Sequence, residues 1–359
     1  MKMLLPAALA AATLAQPLAA KPAATEAAAT HVLPDEAAVR AALDPLVAPY
    51  PGMAIAVAII GPGGDTTLFH APATGYDGAT RFEIGSVTKS MTGMLLALLT
   101  AEGTVSLDDP VNRYLPSDHQ LPDGGDGRAI TLGDLSRHRS GLPRMPADFL
   151  PAQPYNPYAT YDDAALLASI DATDALDSAP GSTVAYSNFG VAILGLALER
   201  ATGTPYAELL EQRLFGPLGM TAVLGDSDDA PLAQPHGAIH NVQSDWDLGA
   251  MGPAGGARAT IGDMARFARL YLDRPAPFDA AIPLLFEGAA SDGLGLFRRR
   301  FGDREIVWHN GATGGSRSMM ALDPDRGEAV VVMINSHAGT GPEDLALHFL
   351  LGRALPDTE

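Results

Sequence analysis

Apolar residues recur along the chain at two different periods, and the points where the period changes mark out its elements. Asp35 to Leu46 repeats at helical spacing and predicts an amphipathic helix. Gly52 to Ile60 (GMAIAVAII) is an unbroken apolar run of strand length. The turn Gly61-Pro62-Gly63-Gly64 follows it, and Asp65 to His70 predicts an antiparallel return. A β-like run from Arg81 to Ile84 stops at Gly85. Beyond it Val87, Met91, Met94, Leu95 and Leu98 recur every 3.6 residues, which predicts a buried helix with Ser86 in its first turn. Further helical patterns run through Leu135 to Arg139 (capped by Thr131), Val191 to Thr202, Pro205 to Leu214, Ile261 to Leu272 and Glu343 to Leu351. Gly293 to Phe301, Glu305 to His309, Ser316 to Leu322 and Glu328 to Ile334 predict strands. Pro146 to Tyr161 and Ala222 to Gly249 carry no period, and aperiodic segments of that length often line active sites.

Strands therefore sit at both ends of the chain, with helices and long loops between. This ordering predicts an α+β fold: one antiparallel sheet built from both chain ends and flanked by helices, plus an inserted, mostly helical lobe over residues 100–240 or so. The site is expected between the two. Residues 1–20 pair a basic start at Lys2 with a Leu/Ala run and small residues at Ala19 and Ala20, the pattern of a signal peptide, so a periplasmic or secreted protein is expected. Residues 21–34 form an Ala/Thr/Pro-rich linker, and residues 35–352 form the domain.

Composition narrows the function. The 359 residues include no cysteine, which removes disulfides, thiolate metal sites and a cysteine nucleophile together. A formal net charge of −19 argues against binding nucleic acid or an anionic membrane through bulk charge. The expected partner is a small molecule or short peptide, with no membrane span, and the oligomeric state is left open.

The candidate chemistry begins at Ser86 and Lys89. Residues three apart on a helix are neighbours, so the Lys89 amine can reach the Ser86 hydroxyl. A serine attacks only when a base takes its proton, and a lysine serves only when burial or nearby positive charge lowers its pKa. Lys89 lies inside an apolar helix, where such lowering is expected. The helix N-terminus adds unpaired N–H groups where an oxyanion would form.

Three separated pieces, Ser86-x-x-Lys89, Tyr186-Ser187-Asn188 and His309-Asn310-Gly311, together resemble the serine β-lactamase and penicillin-binding protein superfamily. The resemblance is to the branch holding class C β-lactamases, D-stereospecific peptidases and related esterases. It spans residues 35–352, and the intervening stretches Leu135 to Pro143, Pro180 to Gly195, Leu214 to Met220, Pro253 to Phe267 and Gly293 to Leu296 share it. It implies an acyl-enzyme on Ser86, activation by Lys89 and proton relay to the leaving group by Tyr186, as a phenolate or shared-proton phenol. Asn188 would bond Lys89 and the substrate amide. The backbone N–H groups of Ser86 and Ala312, on the edge strand after Gly311, would form the oxyanion hole. It implies no cofactor and no metal.

Two features depart from the penicillin-processing pattern. His309 replaces a lysine that helps hold the substrate carboxylate, and neutral histidine is a weaker anion anchor, so a small amide or ester (a D-amino-acid peptide or acyl ester) ranks ahead of a β-lactam. A class C-like β-lactamase or DD-peptidase is the runner-up. Arg137 and Arg139 stand where neutral residues are common and are expected to be solvated. Other classes fit less well. An α/β-hydrolase needs G-x-S-x-G, and the nearest string, Ala289 to Gly293, lacks its frame. Pro235 and Gly237 argue against a helical metal site at His236 and His240, while His119, His138, His337 and His348 are expected at the surface or at caps. A peptide- or lactam-binding protein without turnover would be expected to have lost Lys89 or Tyr186, and both are present.

Overall fold

The computed structural model describes residues 31–356 apart from 71–74, 126, 152, 154, 227–229 and 289–290. The leader and most of the linker expected from the sequence lie outside the described residues. Helix α1 (Glu36–Val47) starts where Asp35 accepts a hydrogen bond from the Ala38 N–H, and it buries Val39, Leu43 and Val47. Strands β1 (Ile55–Gly61) and β2 (Gly64–His70) form the predicted hairpin. The short β3 (Phe82–Glu83) leads into a 3₁₀ turn, Gly85–Val87, that carries Ser86 and continues as α2 (Thr88–Ala101).

The middle of the chain supplies helices. These are α3 (Leu132–Ser136), with a reciprocal Thr131–Asp134 capping box, α4 (Asp163–Asp171), α5 (Asn188–Thr202) and α6 (Tyr206–Leu210), the last continuing as a π-turn over Glu211–Phe215. Then come β4 (Val223–Leu224), α7 (Gly252–Gly255), β5 (Ala257–Ala259) and α8 (Ile261–Asp273). The chain closes with β6 (Phe297–Phe301), β7 (Arg304–Ala312), β8 (Arg317–Asp323), β9 (Glu328–Ile334) and α9 (Pro342–Leu351).

The main sheet is antiparallel throughout, in the order β2-β1-β9-β8-β7-β6, and β1 from the start of the chain pairs with β9 from its end (Ile55 opposite Ile334). Its two faces feed two separate cores. One joins α1 and α9 to alternate sheet residues such as Ile55, Val57, Val330 and Val332, and the larger one takes the opposite residues, Ala56, Ala58, Val331 and Met333, with α2, α5 and α8. This is the α+β architecture that the order of periods predicts. Helix α4 has no counterpart in the sequence reading, and the three-stranded sheet β3-β5-β4 is built from strands of two or three residues, too short to show a period.

Helix α2 is buried from Thr88 to Leu99 on every side, so its polar residues need partners inside the protein. Ser90 Oγ donates to the Val87 carbonyl one turn back (2.6 Å), and Thr88 and Thr92 reach the neighbouring segment 252–257. Thr88 Oγ1 accepts from the Ala257 N–H (3.1 Å), and Thr92 Oγ1 donates to the Pro253 carbonyl (2.7 Å) while sharing a 2.6 Å bond with the Tyr206 hydroxyl. These contacts stitch α2 to α7 and β5 through one face. Replacing Thr92 by valine keeps the shape and strands the Tyr206 hydroxyl and the Pro253 carbonyl. The expected result is a loss of about 1–3 kcal/mol in thermal or denaturant unfolding.

Candidate active site

Ser86 and Lys89 meet as the helical spacing predicts, with Lys89 Nζ 3.0 Å from Ser86 Oγ. Lys89 is 1 % exposed, and its pKa is held well below the ordinary lysine value, first by burial and then by the nearby Arg144 cation. Its second partner is the carbonyl of Ala254, at the centre of α7. For a neutral amine this partner has a directional effect. One N–H goes to Ala254, and the lone pair is left to accept the Ser86 proton. The resemblance implied Asn188 in that supporting role. In the structure the Asn188 side-chain amine faces Met145 Sδ (3.6 Å), and its buried carbonyl oxygen has no partner.

Tyr186 lies just before α5, with Lys89 Nζ 4.9 Å from the centre of its ring. Its hydroxyl is buried, and burial raises its pKa, partly offset by the neighbouring Ser86 hydroxyl. The free enzyme therefore holds Tyr186 as the phenol and not as the phenolate. The segment 138–144 fixes this turn. The Ser187 N–H donates to His138 Nδ1 (3.2 Å), Ser187 Oγ donates to the Pro143 carbonyl (2.7 Å), and the Asn188 N–H donates to the Arg144 carbonyl (3.0 Å). His138 is a correction to the sequence reading: it is 2 % exposed, has φ +58°, and lies with its ring 4.3 Å from that of Tyr186. Arg139 and Arg137 are not simply solvated either. Arg139 pairs with the buried Asp292, and Arg137 donates to the Glu287 carbonyl (2.8 Å).

His309, Gly311 and Ala312 end β7. The edge strand β6 covers β7 only as far as Trp308, so the backbone from His309 onward is open on the side that faces the Ser86 turn. Glycine at two positions lets the two segments touch: a Cβ on Gly311 would lie 2.0 Å from the Ile84 carbonyl oxygen, and one on Gly85, at φ +51°, 2.6 Å from the Ala312 nitrogen. His309 is completely buried, and burial, with Lys89 nearby, lowers its pKa to about 3. It is neutral at any ordinary pH, its ring 6.3 Å from Tyr186 and its Nε2 without a partner.

A cleft open to solvent passes over Ser86, Asn188, Ala254 and Ala312, with Tyr158 and Trp246 among its walls. Those two aromatic residues come from the two aperiodic segments, and their rings meet edge to face at 5.3 Å. Glu83, which the sequence reading passed over, holds this wall in place. Its carboxylate accepts from the Trp246 N–H and from Thr313 Oγ1, the residue after Ala312.

A serine held against a desolvated amine, at the seam between an antiparallel sheet and its helices, makes this protein a serine hydrolase. The chain belongs to the Beta-lactamase family, whose pattern matches residues 39–353. It is 31 % identical over 276 residues, 70 % of each chain, to the D-alanyl-D-alanine-carboxypeptidase/endopeptidase AmpH of Escherichia coli (strain K12). It is 29 % identical to the D-aminopeptidase of Gluconobacter oxydans (strain 621H), over 83 % of this chain and 59 % of that one. Among solved structures, a D-stereospecific amidohydrolase from Streptomyces superposes with a TM-score of 0.74 at 26 % identity, covering 89 % of this chain and all of the other. The octameric penicillin-binding protein homologue from Pyrococcus abyssi, at 22 % identity, shares the fold with a TM-score of 0.75, covering 88 % of this chain and 76 % of that one.

The burial of Glu83 sets a pH dependence for stability. Burial raises its pKa from 4.5 to about 7, more than its two hydrogen bonds lower it. Between those values the native state binds a proton that the unfolded chain has lost, so this residue's contribution is complete below pH 4.5 and is lost as pH rises towards 7. The span corresponds to about 3 kcal/mol. Glu83→Gln should flatten the stability profile over that range, as read by denaturant melts at half-unit pH steps. A profile that keeps the wild-type slope would assign the titration to another group.

Proposed function

We propose that this hydrolase cleaves small amides or esters, of the kind found in D-amino-acid peptides, through an acyl-enzyme on Ser86. The observation that carries the reading is the buried Lys89 amine 3.0 Å from Ser86 Oγ, its pKa lowered by burial. Neutral Lys89 takes the Ser86 proton as the oxygen attacks the carbonyl. The tetrahedral oxyanion sits between the backbone N–H groups of Ser86 and Ala312. Tyr186, a phenol in the free enzyme, gives its proton to the departing nitrogen or oxygen and is reprotonated by the Lys89 ammonium. Water then enters, loses its proton to the same relay and releases the acid, returning Ser86 to its starting state. Asn188 and Gly311 line the approach, with Asn188 free to turn its unpartnered carbonyl towards a substrate N–H. The leader pattern over residues 1–20 supports export to the periplasm or beyond. The names of the relatives, a carboxypeptidase and a D-aminopeptidase, support the choice of amide substrates.

Ser86→Ala should abolish covalent labelling by a fluorophosphonate, read by intact-protein mass. Label that persists would place the nucleophile elsewhere. Lys89→Ala should keep the fold and lower kcat/KM on a nitrophenyl ester by about 10²- to 10⁴-fold, the usual contribution of a positioned base.

The pH profile of kcat/KM should rise on the acid side as Lys89 loses its proton and fall on the alkaline side as Tyr186 ionises. Because Lys89 is shifted down and Tyr186 up, the plateau between them should be broad. The apparent values belong to the coupled pair. A rate falling continuously from pH 6 to pH 9 would contradict both roles.

A further inference from the structure

His309 stands where penicillin-processing relatives carry a cation, and here it is neutral and sealed from solvent. The positive charge at this site is Arg144, which the sequence reading did not single out. Its guanidinium carbon lies 4.9 Å from the centre of the Tyr186 ring. Its field reaches Lys89, adding to the lowering that burial causes, and the cleft residue Tyr158, whose pKa burial raises and Arg144 partly offsets.

The environment of Arg144 differs from that of the other arginines in sheltered positions. Arg258 pairs with Asp226 and Asp245, Arg304 with Asp323 and Glu328, Arg139 with Asp292, and Arg317 donates to the carbonyls of Ser336, Ala338 and Thr340. The half-buried Arg144 side chain has no carboxylate and no hydrogen-bond acceptor among the described residues. A chain with 42 acidic and 23 basic residues has carboxylates to spare, yet among the described residues none is placed beside this guanidinium, whose recorded partner is the face of the Tyr186 ring. Its backbone is fixed, since the Arg144 carbonyl accepts from both the Asn188 and Phe189 N–H groups (3.0 and 3.3 Å). The cation is therefore tied to the same turn that positions Tyr186 and Asn188.

We infer that Arg144, held against the Tyr186 ring, anchors a carboxylate of the substrate, so that the enzyme prefers acids to their neutral analogues. Guanidinium and carboxylate match in geometry as a two-pronged pair. In so acidic a protein, a bare cation at the reacting centre also favours the one orientation of an anionic substrate that brings its charge to Tyr186. The inference rests on the acyl-enzyme reading above and refines it by naming the substrate class.

The test compares wild type, Arg144→Gln and Arg144→Lys on two matched pairs. A peptide ending in D-alanyl-D-alanine against its C-terminal amide puts the carboxylate on the leaving group. A nitrophenyl monoester of glutaric acid against nitrophenyl pentanoate puts it on the acyl group. The measured quantity is the ratio of kcat/KM, anionic over neutral, in which any effect of Arg144 through the Lys89 pKa divides out. In at least one pair Arg144→Gln should lower that ratio about 10- to 100-fold, the worth of a charge-assisted hydrogen bond, with Arg144→Lys in between. A ratio unchanged in both pairs would overturn the carboxylate site, even where the acid limb of the pH profile moves to higher pH because Lys89 has lost a neighbouring cation. Fluorophosphonate labelling of the same preparations keeps the two readings apart. Wild type that labels at Ser86 but shows no Arg144-dependent ratio loses the carboxylate site alone, whereas wild type that does not label loses the acyl-enzyme with it.

Discussion

The desolvated amine of Lys89 governs the design of this protein. Burying an ammonium is expensive, and the burial of Lys89 shifts its pKa well below the ordinary lysine value. Everything around it serves that end. Helix α2 is enclosed on all sides, its threonines rivet it to the segment 252–257, and that segment presents the Ala254 carbonyl that orients the amine. The Tyr186 phenol is shifted in the opposite direction by the same burial. One apolar surrounding thus shifts the Lys89 amine down and the Tyr186 phenol up, the opposed pair on which the proposed proton relay rests.

The second organising feature is the approach of two backbones. Gly85 and Gly311 have no side chains to keep β7 and the Ser86 turn apart, and the early end of β6 leaves that stretch of β7 uncovered. Glu83 then braces the far side of the cleft by holding Trp246 and Thr313 together. The Ser86 turn is thus held by a strand and a buried helix, whereas Tyr158 and Trp246 on the cleft wall come from long loops.

Much of this was legible in the chain itself. The hairpin β1–β2, strand β9 and helices α1, α8 and α9 carry strong periods and fall within a few residues of their predicted ends, and Ser86–Lys89 was readable because the contact is local, three residues along one helix. Helix α4 escaped because it is short and buries little beyond Leu166, Ser169 and Ile170. The supporting parts of the site escaped for a different reason. Ala254 acts through a backbone carbonyl, which has no signature in sequence, and the roles of His138, Arg144 and Glu83 are defined by elements far away in the chain. His138 shows no ligand spacing and reads in the sequence as a surface or capping residue, whereas its left-handed backbone turns the ring inward.

The pairing of β1 with β9 has a consequence for how the molecule comes into being. Ile55 and Ile334 are partners at the centre of the main sheet, so the hairpin made first waits for nearly the whole chain before its open edge is covered. Until β9 arrives, β1 exposes an apolar edge, and β7 is not yet joined through β8 and β9 to the rest of the sheet. Contacts of such long range make for slow, late assembly. A chain that has not yet supplied β9 accordingly lacks the completed sheet that the site is built on.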